Sequence, residues 1–415
     1  MTRRLLAPVG LVAVLAGCFV EDQSVNPPTA TAGTLFTNYV AIGNSITAGF
    51  QSGGIDSATQ AASYAVLLGT QMGTDFHVPW LRVPGCPPVY TNIFTQTRAS
   101  AMPCAARTSD IPPHLNLVAV PGAAVVDILS NSDSASDPNT LTTFILGGRT
   151  QMQAARQARP TFVTVWIGNN DVLGAILDAT NPGDPALVTA PAALATRYAN
   201  MMDSLDAIGT IEGGVLIGAV QVSAAPYISQ GRAWKQFEAG FDALTAPLNA
   251  LDVTNCLAFQ SLVGADTAWA AIPFPVGGGA LALANARVDS VLAGTLAPGA
   301  LQTVVIDCNS TEAVTLAEMV NLIGSVTQYN VAIAAEADDR DWLYVDPNVL
   351  LAQLVADPTA IRPFPTFTDQ ANAFPFGTAM SLDGIHPSAS VHRTFAAALI
   401  TAINAKYGTS ITPLP

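Results

Sequence analysis

The chain has 415 residues, half of them hydrophobic and only 11% charged, with a formal net charge of −14. That apolar content excludes an intrinsically disordered chain, and 16 scattered basic residues, with Lys235 and Lys406 the only lysines, exclude the clustered cations of a nucleic-acid surface. The 4 histidines include no tightly spaced pair of the H-E-x-x-H kind, so neither a metal nor an organic cofactor is expected.

Residues 1–17 carry Arg3 and Arg4 ahead of an apolar run that closes in small residues, the pattern of a cleaved export signal and too short for a membrane span. The run ends Leu15-Ala16-Gly17-Cys18, which resembles the lipobox of bacterial lipoproteins. That resemblance implies lipidation of Cys18 and attachment to a membrane through an N-terminal lipid anchor. Residues 18–34 read as a tether rich in Pro, Ser and Thr. Phe19, where an aspartate would mark inner-membrane retention, favours the outer membrane or cell surface, with a secreted or periplasmic protein as the alternative. Four cysteines then remain, Cys86, Cys104, Cys256 and Cys308, an even set suited to an oxidising compartment. Three connectivities are open, and the most local joins Cys86 to Cys104 and Cys256 to Cys308.

Apolar runs bounded by Gly, Pro or Asn predict strands at 39–42, 115–120, 162–167, 215–222 and 342–345. Helices are expected between them at 63–72, 150–159, 190–208 and 311–336, with a closing helix at 391–406. Thr189 is the expected N-cap of the helix from 190, and Asn309 with Glu312 the capping box of the next. The alternation of strand and helix predicts an α/β layered fold with a parallel sheet. Two intervals, 51–113 and 223–308, break the alternation without repeating, and read as insertions in one domain spanning 35–415. The second holds a helical piece around 234–251 and a glycine-rich loop at 276–280.

The chemistry-bearing residues lie at the two ends of the chain. Ser45, in Gly43-Asn44-Ser45, follows the first strand, where parallel α/β folds place their sites. Asp383 and His386 are three residues apart, so one turn can present the carboxylate to one imidazole nitrogen and leave the other facing outward. A serine with such a histidine is an activated nucleophile. Singly, each residue also has a plain structural reading: Ser45 as a helix cap, Gly122 as a turn glycine, Asn170 as a loop cap.

Together these segments resemble the SGNH hydrolases, or GDSL esterases and lipases. Gly43-Asn44-Ser45-Ile46-Thr47, the stretch 116–123 with Gly122, Gly168-Asn169-Asn170-Asp171, and Asp383-Gly384-Ile385-His386 match the family's four blocks in order, over roughly 35–405. The resemblance implies a flavodoxin-like three-layer α/β/α fold and a Ser45, His386, Asp383 triad. It also implies an oxyanion hole made from the N–H groups of Ser45 and Gly122 and the Asn170 amide. Donors fixed where charge develops stabilise it without reorganisation, and only a glycine lets backbone approach a ligand so closely. Asn44 stands where the family carries aspartate, which removes a charge beside the nucleophile but leaves the triad acid in place. Asp171 is read as holding its loop, His392 as a helix-surface histidine, and Trp166 and Trp342 as core.

The expected activity is hydrolysis of carboxylic esters through an acyl-enzyme, on small-molecule or lipid esters, rising with pH as the base loses its proton. Carbohydrate O-acetyl esters and acyl transfer use the same residues. A catalytically silent surface lipoprotein that binds a partner is the alternative of another class.

Overall fold

The computed structural model describes residues 32–108, 112–131, 140–256, 259–261, 267–362, 364 and 373–415. The export signal, Cys18 and nearly all of the expected tether lie outside them.

The central sheet holds β1 (Tyr39–Gly43), β2 (Phe162–Trp166), β3 (Gly213–Ile217) and β4 (Leu343–Val345) in that spatial order, all parallel. Tyr39 pairs with Phe162, Phe162 with Gly213, and Val215 with Leu343. The first three strands are buried at every position, as parallel strands covered on both faces must be. The predicted strand at 115–120 flanks β1 on its free side as a short bridge. Ala41 N donates to Asn116 O (2.8 Å) and Val118 N to Ala41 O (3.0 Å). With the 115–120 segment outside β1, the spatial order is 115–120, β1, β2, β3, β4, a doubly wound arrangement with its switch point between β1 and β2.

Helices cover both faces. The side chains of Val40, Ile42, Val163 and Val165 pack under α3 (Gln151–Ala158), α5 (Pro191–Asp206) and α6 (Leu316–Asp338), with α4 (Asn170–Ile176) at the margin. Tyr39, Phe162, Trp166 and Val215 face the other way, against α2 (Tyr64–Met72) and α8 (Ala389–Tyr407). The short helices α1 (Ser45–Ala48) and α7 (Asn348–Ala356) follow β1 and β4 at the carboxyl edge of the sheet. The fold is thus a three-layer α/β/α sandwich.

Four local expectations are corrected. The helix after the second insertion starts at Leu316, capped by Thr315 and Glu318 in a reciprocal box, whereas Asn309 lies in a turn on Asp307. The helix from 190 has Ala190 at its N-cap without a side-chain bond; Thr189 N instead donates to Asp171 O (2.8 Å). The helix predicted to reach 251 is Gly231–Thr245, and Leu251–Thr254 is a strand paired in parallel with Val304–Asp307. The glycine-rich 276–280 stretch is the first half of a helix, Phe274–Leu292. Gly277 is needed there because a Cβ would stand 2.0 Å from Cζ2 of the buried Trp234, so packing overrides a propensity penalty of about 1 kcal/mol per glycine.

The cysteines form Cys86–Cys104 and Cys256–Cys308, the most local of the three connectivities. Among the described residues no helix is long and apolar enough to cross a membrane.

Candidate active site

Ser45 opens α1 just beyond β1, and Asn170 opens α4 just beyond β2, so both sit at the switch point of the sheet. The side chain of Asn44 caps α1 by accepting from Ile46 N (3.1 Å), which leaves the adjacent Ser45 hydroxyl free for other partners. Behind them, Gln151 of α3 brackets the last residue of β1. Its Oε1 accepts from Gly43 N (3.0 Å) and its Nε2 donates to Gly43 O (2.8 Å). The strand end that carries the serine is therefore fixed on both backbone groups.

Asp383 and His386 arrive from the loop ahead of α8. His386 Nε2 is 2.9 Å from Ser45 Oγ, and His386 Nδ1 is 2.9 Å from Asp383 Oδ2. All three side chains are buried. Asp383 Oδ1 accepts from Ser381 Oγ, Ile385 N and His386 N at 2.9–3.0 Å, and Oδ2 also accepts from Gly53 N at 2.7 Å. Burial alone would raise this carboxyl. The charge of His386 and the hydrogen bonds from His386 and Ile385 outweigh it and hold the group at about 2. Phe50, just past α1, lies with its ring 4.9 Å from the imidazole and walls one side of it.

Of the residues expected to give oxyanion donors, Ser45 and Asn170 line the cavity and Gly122 is not among its lining residues. Ser45 N is the first N–H of α1 and has no acceptor within its helix. Asn170 lines the same cavity as Ser45 and His386, with one amide proton committed to Ala123 O (2.8 Å) and the second uncommitted in that bond. Gly122, at φ 86°, sits in the exposed turn that this bond ties down. Asp171 secures the same turn, accepting from Val125 N (3.0 Å), and burial pushes its carboxyl up to about 6. It thus occupies the loop-holding position that the sequence suggested.

His392 departs from expectation. It is buried, not on a helix surface; its Nδ1 accepts from Tyr64 N (3.3 Å), and burial with the nearby charge of His386 pushes it down to about 3. Trp166 is buried as expected, and Trp342 is half-buried against Gly214. Phe50, Gln151 and Ser381 carry no sequence signal for their parts in the site, whereas the Gly53 N–H has a local one in the paired glycines Gly53-Gly54.

Beyond Ser45 and His386 opens a cavity of about 110 Å³ that is partly open to solvent. Trp166, Leu173, Leu350, Leu354, Val391 and Phe395 give it an apolar wall. Among the described residues no group of three or more His, Cys, Asp or Glu is arranged to hold a metal ion.

No protein-family model matches the sequence, and no curated protein sequence shows significant similarity to it. Solved structures align with this chain at low identity. An acetylxylan esterase from Geobacillus stearothermophilus aligns over 91% of this chain and 96% of its own, at 11% identity and a TM-score of 0.35. An extracellular lipase from Streptomyces rimosus aligns over 88% and 99%, at 13% identity and 0.34. Phospholipase A1 from Streptomyces albidoflavus NA297 aligns over 89% and 98%, at 14% identity and 0.32.

Proposed function

We propose that this chain is a serine hydrolase of the SGNH type that cleaves carboxylic esters through an acyl-enzyme. The observation that carries this reading is the unbroken hydrogen-bonded series from Ser45 Oγ through His386 to Asp383, opening on an apolar cavity. His386 Nε2 takes the Ser45 proton as Oγ attacks the carbonyl carbon, and returns it to the departing alcohol. Asp383 stays ionised, fixes the imidazole tautomer and offsets the imidazolium charge. The N–H groups of Ser45 and Gly122 and the uncommitted Asn170 amide proton receive the carbonyl oxygen as its charge grows. Water then enters on the same base and releases the acid.

The apolar wall favours an acyl group longer than acetyl, since each methylene removed from water contributes about 0.8 kcal/mol. Ser45→Ala should lower turnover of p-nitrophenyl esters by about 10⁴-fold or more with an unchanged circular dichroism spectrum. Retained turnover overturns the mechanism. In the wild type, kcat/KM should rise from acetate to butyrate and longer chains; a maximum at acetate overturns the acyl preference alone.

We further propose that the protein is exported and held at a membrane through lipidated Cys18. The lipobox-like 15–18 segment and the two disulfides support this reading. Metabolic labelling with palmitate should mark the wild type and not Cys18→Ser; equal labelling, or none in either, rejects the anchor.

A further inference from the structure

The triad acid receives one of its hydrogen bonds from outside its own loop, and the donor is part of an unusual turn. Ser52 (φ 54°) and Gly53 (φ 66°) are both left-handed, while Gln51 and Gly54 exchange N–H···O bonds of 2.9 and 3.1 Å, a reversal of the type I′ kind. Consecutive left-handed residues turn successive N–H groups toward one side, which makes a cradle for an oxygen acceptor. Here Ser52 N donates to Ser381 Oγ (2.9 Å) and Gly53 N to Asp383 Oδ2 (2.7 Å), the same oxygen that faces His386. The Ser52 hydroxyl in turn accepts from Leu382 N (3.1 Å).

A serine in the left-handed region is strained and persists only where its surroundings over-determine it. Those surroundings are the loop closed by Cys86–Cys104. Ser52 O accepts from Tyr90 N (2.7 Å), and Gly53 O accepts from Arg98 Nη1 (2.8 Å), which also donates to Pro88 O. The Arg98 guanidinium lies 3.9 Å from the centre of the Tyr90 ring, and that ring is pressed so close to Gly53 that a Cβ there would stand 2.3 Å from Tyr90 Cε2. The Ser52–Gly53 peptide is therefore held from behind through its carbonyl and presented in front through its N–H. Such bonds polarise one another in series.

We infer that Arg98 is a positioning residue for the catalytic acid, fixing the 51–54 turn so that the Gly53 N–H sets the orientation of Asp383 toward His386. The inference rests on the Ser45, His386, Asp383 reading and assigns the Cys86–Cys104 loop a part in it. The partners of Arg98, namely Gly53, Pro88 and Tyr90, are not among the residues that line the cavity, so its effect should fall on turnover and leave substrate binding alone.

The test compares wild type, Arg98→Ala and Arg98→Lys on p-nitrophenyl butyrate, with active sites counted by complete titration with a fluorophosphonate. Arg98→Ala should lose about 10- to 100-fold in kcat with KM within about twofold of wild type. The acid limb of its kcat/KM profile should move, because Asp383 Oδ2 loses a fixed donor. Arg98→Lys should recover part of kcat, and methylguanidine added to Arg98→Ala should raise it. Wild-type kcat and acid limb in Arg98→Ala overturn the inference, as does an equal loss in both variants that tracks their melting temperatures. If Arg98→Ala does not fold, Arg98→Gln, which keeps a donor of similar reach, should give an intermediate kcat at unchanged KM, and wild-type kcat there overturns it. Absence of fluorophosphonate labelling in the wild type rejects the hydrolase reading itself, whatever Arg98 does.

Discussion

The two intervals that interrupt the alternation of strand and helix join the same sheet in opposite ways. The first, around 51–113, holds α2 and short pieces of helix and strand but is irregular over most of its length, and its Ile55, Val78, Leu81 and Cys86 belong to the core cluster that contains Tyr39 and Phe162 of the sheet. Its turn residues reach the triad acid through backbone hydrogen bonds. The second, 223–308, builds a core of its own from Trp234, Phe241, Val253, Ile272 and Ala284, closed by a disulfide spanning 52 residues. It meets the catalytic loop through a backbone bond from Tyr227 N to Gly384 O (3.0 Å) and through Phe274, which packs with Phe376 and Met380 just ahead of that loop. The irregular 51–54 turn is thus the part of this interval that reaches the catalytic acid, because a strained turn directs N–H groups that a helix or strand would consume in its own ladder. An insertion that satisfies its own backbone and buries its own apolar surface has less to offer its host.

Replacing each disulfide by serines breaks or sharpens this contrast most directly. Loop closure over 52 residues should make Cys256→Ser with Cys308→Ser the more destabilising pair, by about 4 kcal/mol against about 3 kcal/mol for Cys86→Ser with Cys104→Ser. Activity per folded molecule should run the other way, with kcat within about twofold of wild type in the former and about tenfold lower in the latter. Thermal melts beside active-site-titrated kinetics measure both. A kcat loss confined to the 256–308 pair would reverse the assignment of roles.

Acid titration makes a smaller demand on the same contrast, since it probes groups that the first insertion and the core loops hold. Asp383, lowered from 3.8 to about 2, contributes stability that is full above about 3.8 and lost as pH falls toward 2, worth about 2 kcal/mol. His392, lowered to about 3, gives stability that declines as pH falls from the ordinary histidine range through that value. Asp171 acts with the opposite sign: raised to about 6, it costs the folded state stability above that value and returns it as pH falls from 6 toward 3.8. Stability should therefore change little between pH 6 and 4, where Asp171 and His392 oppose each other, and drop steeply below 4, where His392 and Asp383 act together. Denaturant melts across this range are the measurement. Asp171→Asn, which keeps an acceptor for Val125 N, should let the decline begin near pH 6; an unchanged profile removes Asp171 from the account.

Much of this protein is legible residue by residue. The near-continuous apolar runs at β1, β2 and β3 and the alternation with helices predict a parallel sheet, because strands covered on both faces show no regular polar alternation. Ser45, Asp383 and His386 can be named from local spacing, since a carboxylate three residues before an imidazole meets it within one turn. The even set of four cysteines suits a protein with two disulfides, but their pairing is open in the sequence and is fixed by which chain segments come together.

What the sequence leaves undecided depends on partners far along the chain. The glycines at 276–280 read as a loop, and only the folded structure shows Trp234 occupying the space where a side chain at Gly277 would be. His392 reads as a surface residue until Tyr64, 328 positions away, donates its N–H to the imidazole. The hold of Gly53 on Asp383 spans 330 positions and uses a backbone group, which no residue type advertises. Composition and short-range spacing therefore settle the layers of the fold and the identity of the reactive side chains, because these follow from burial and from contacts within a turn or two. The orientation of those side chains belongs to the tertiary structure alone, because it is set by backbone donors and close packing between segments that meet only when the chain is folded.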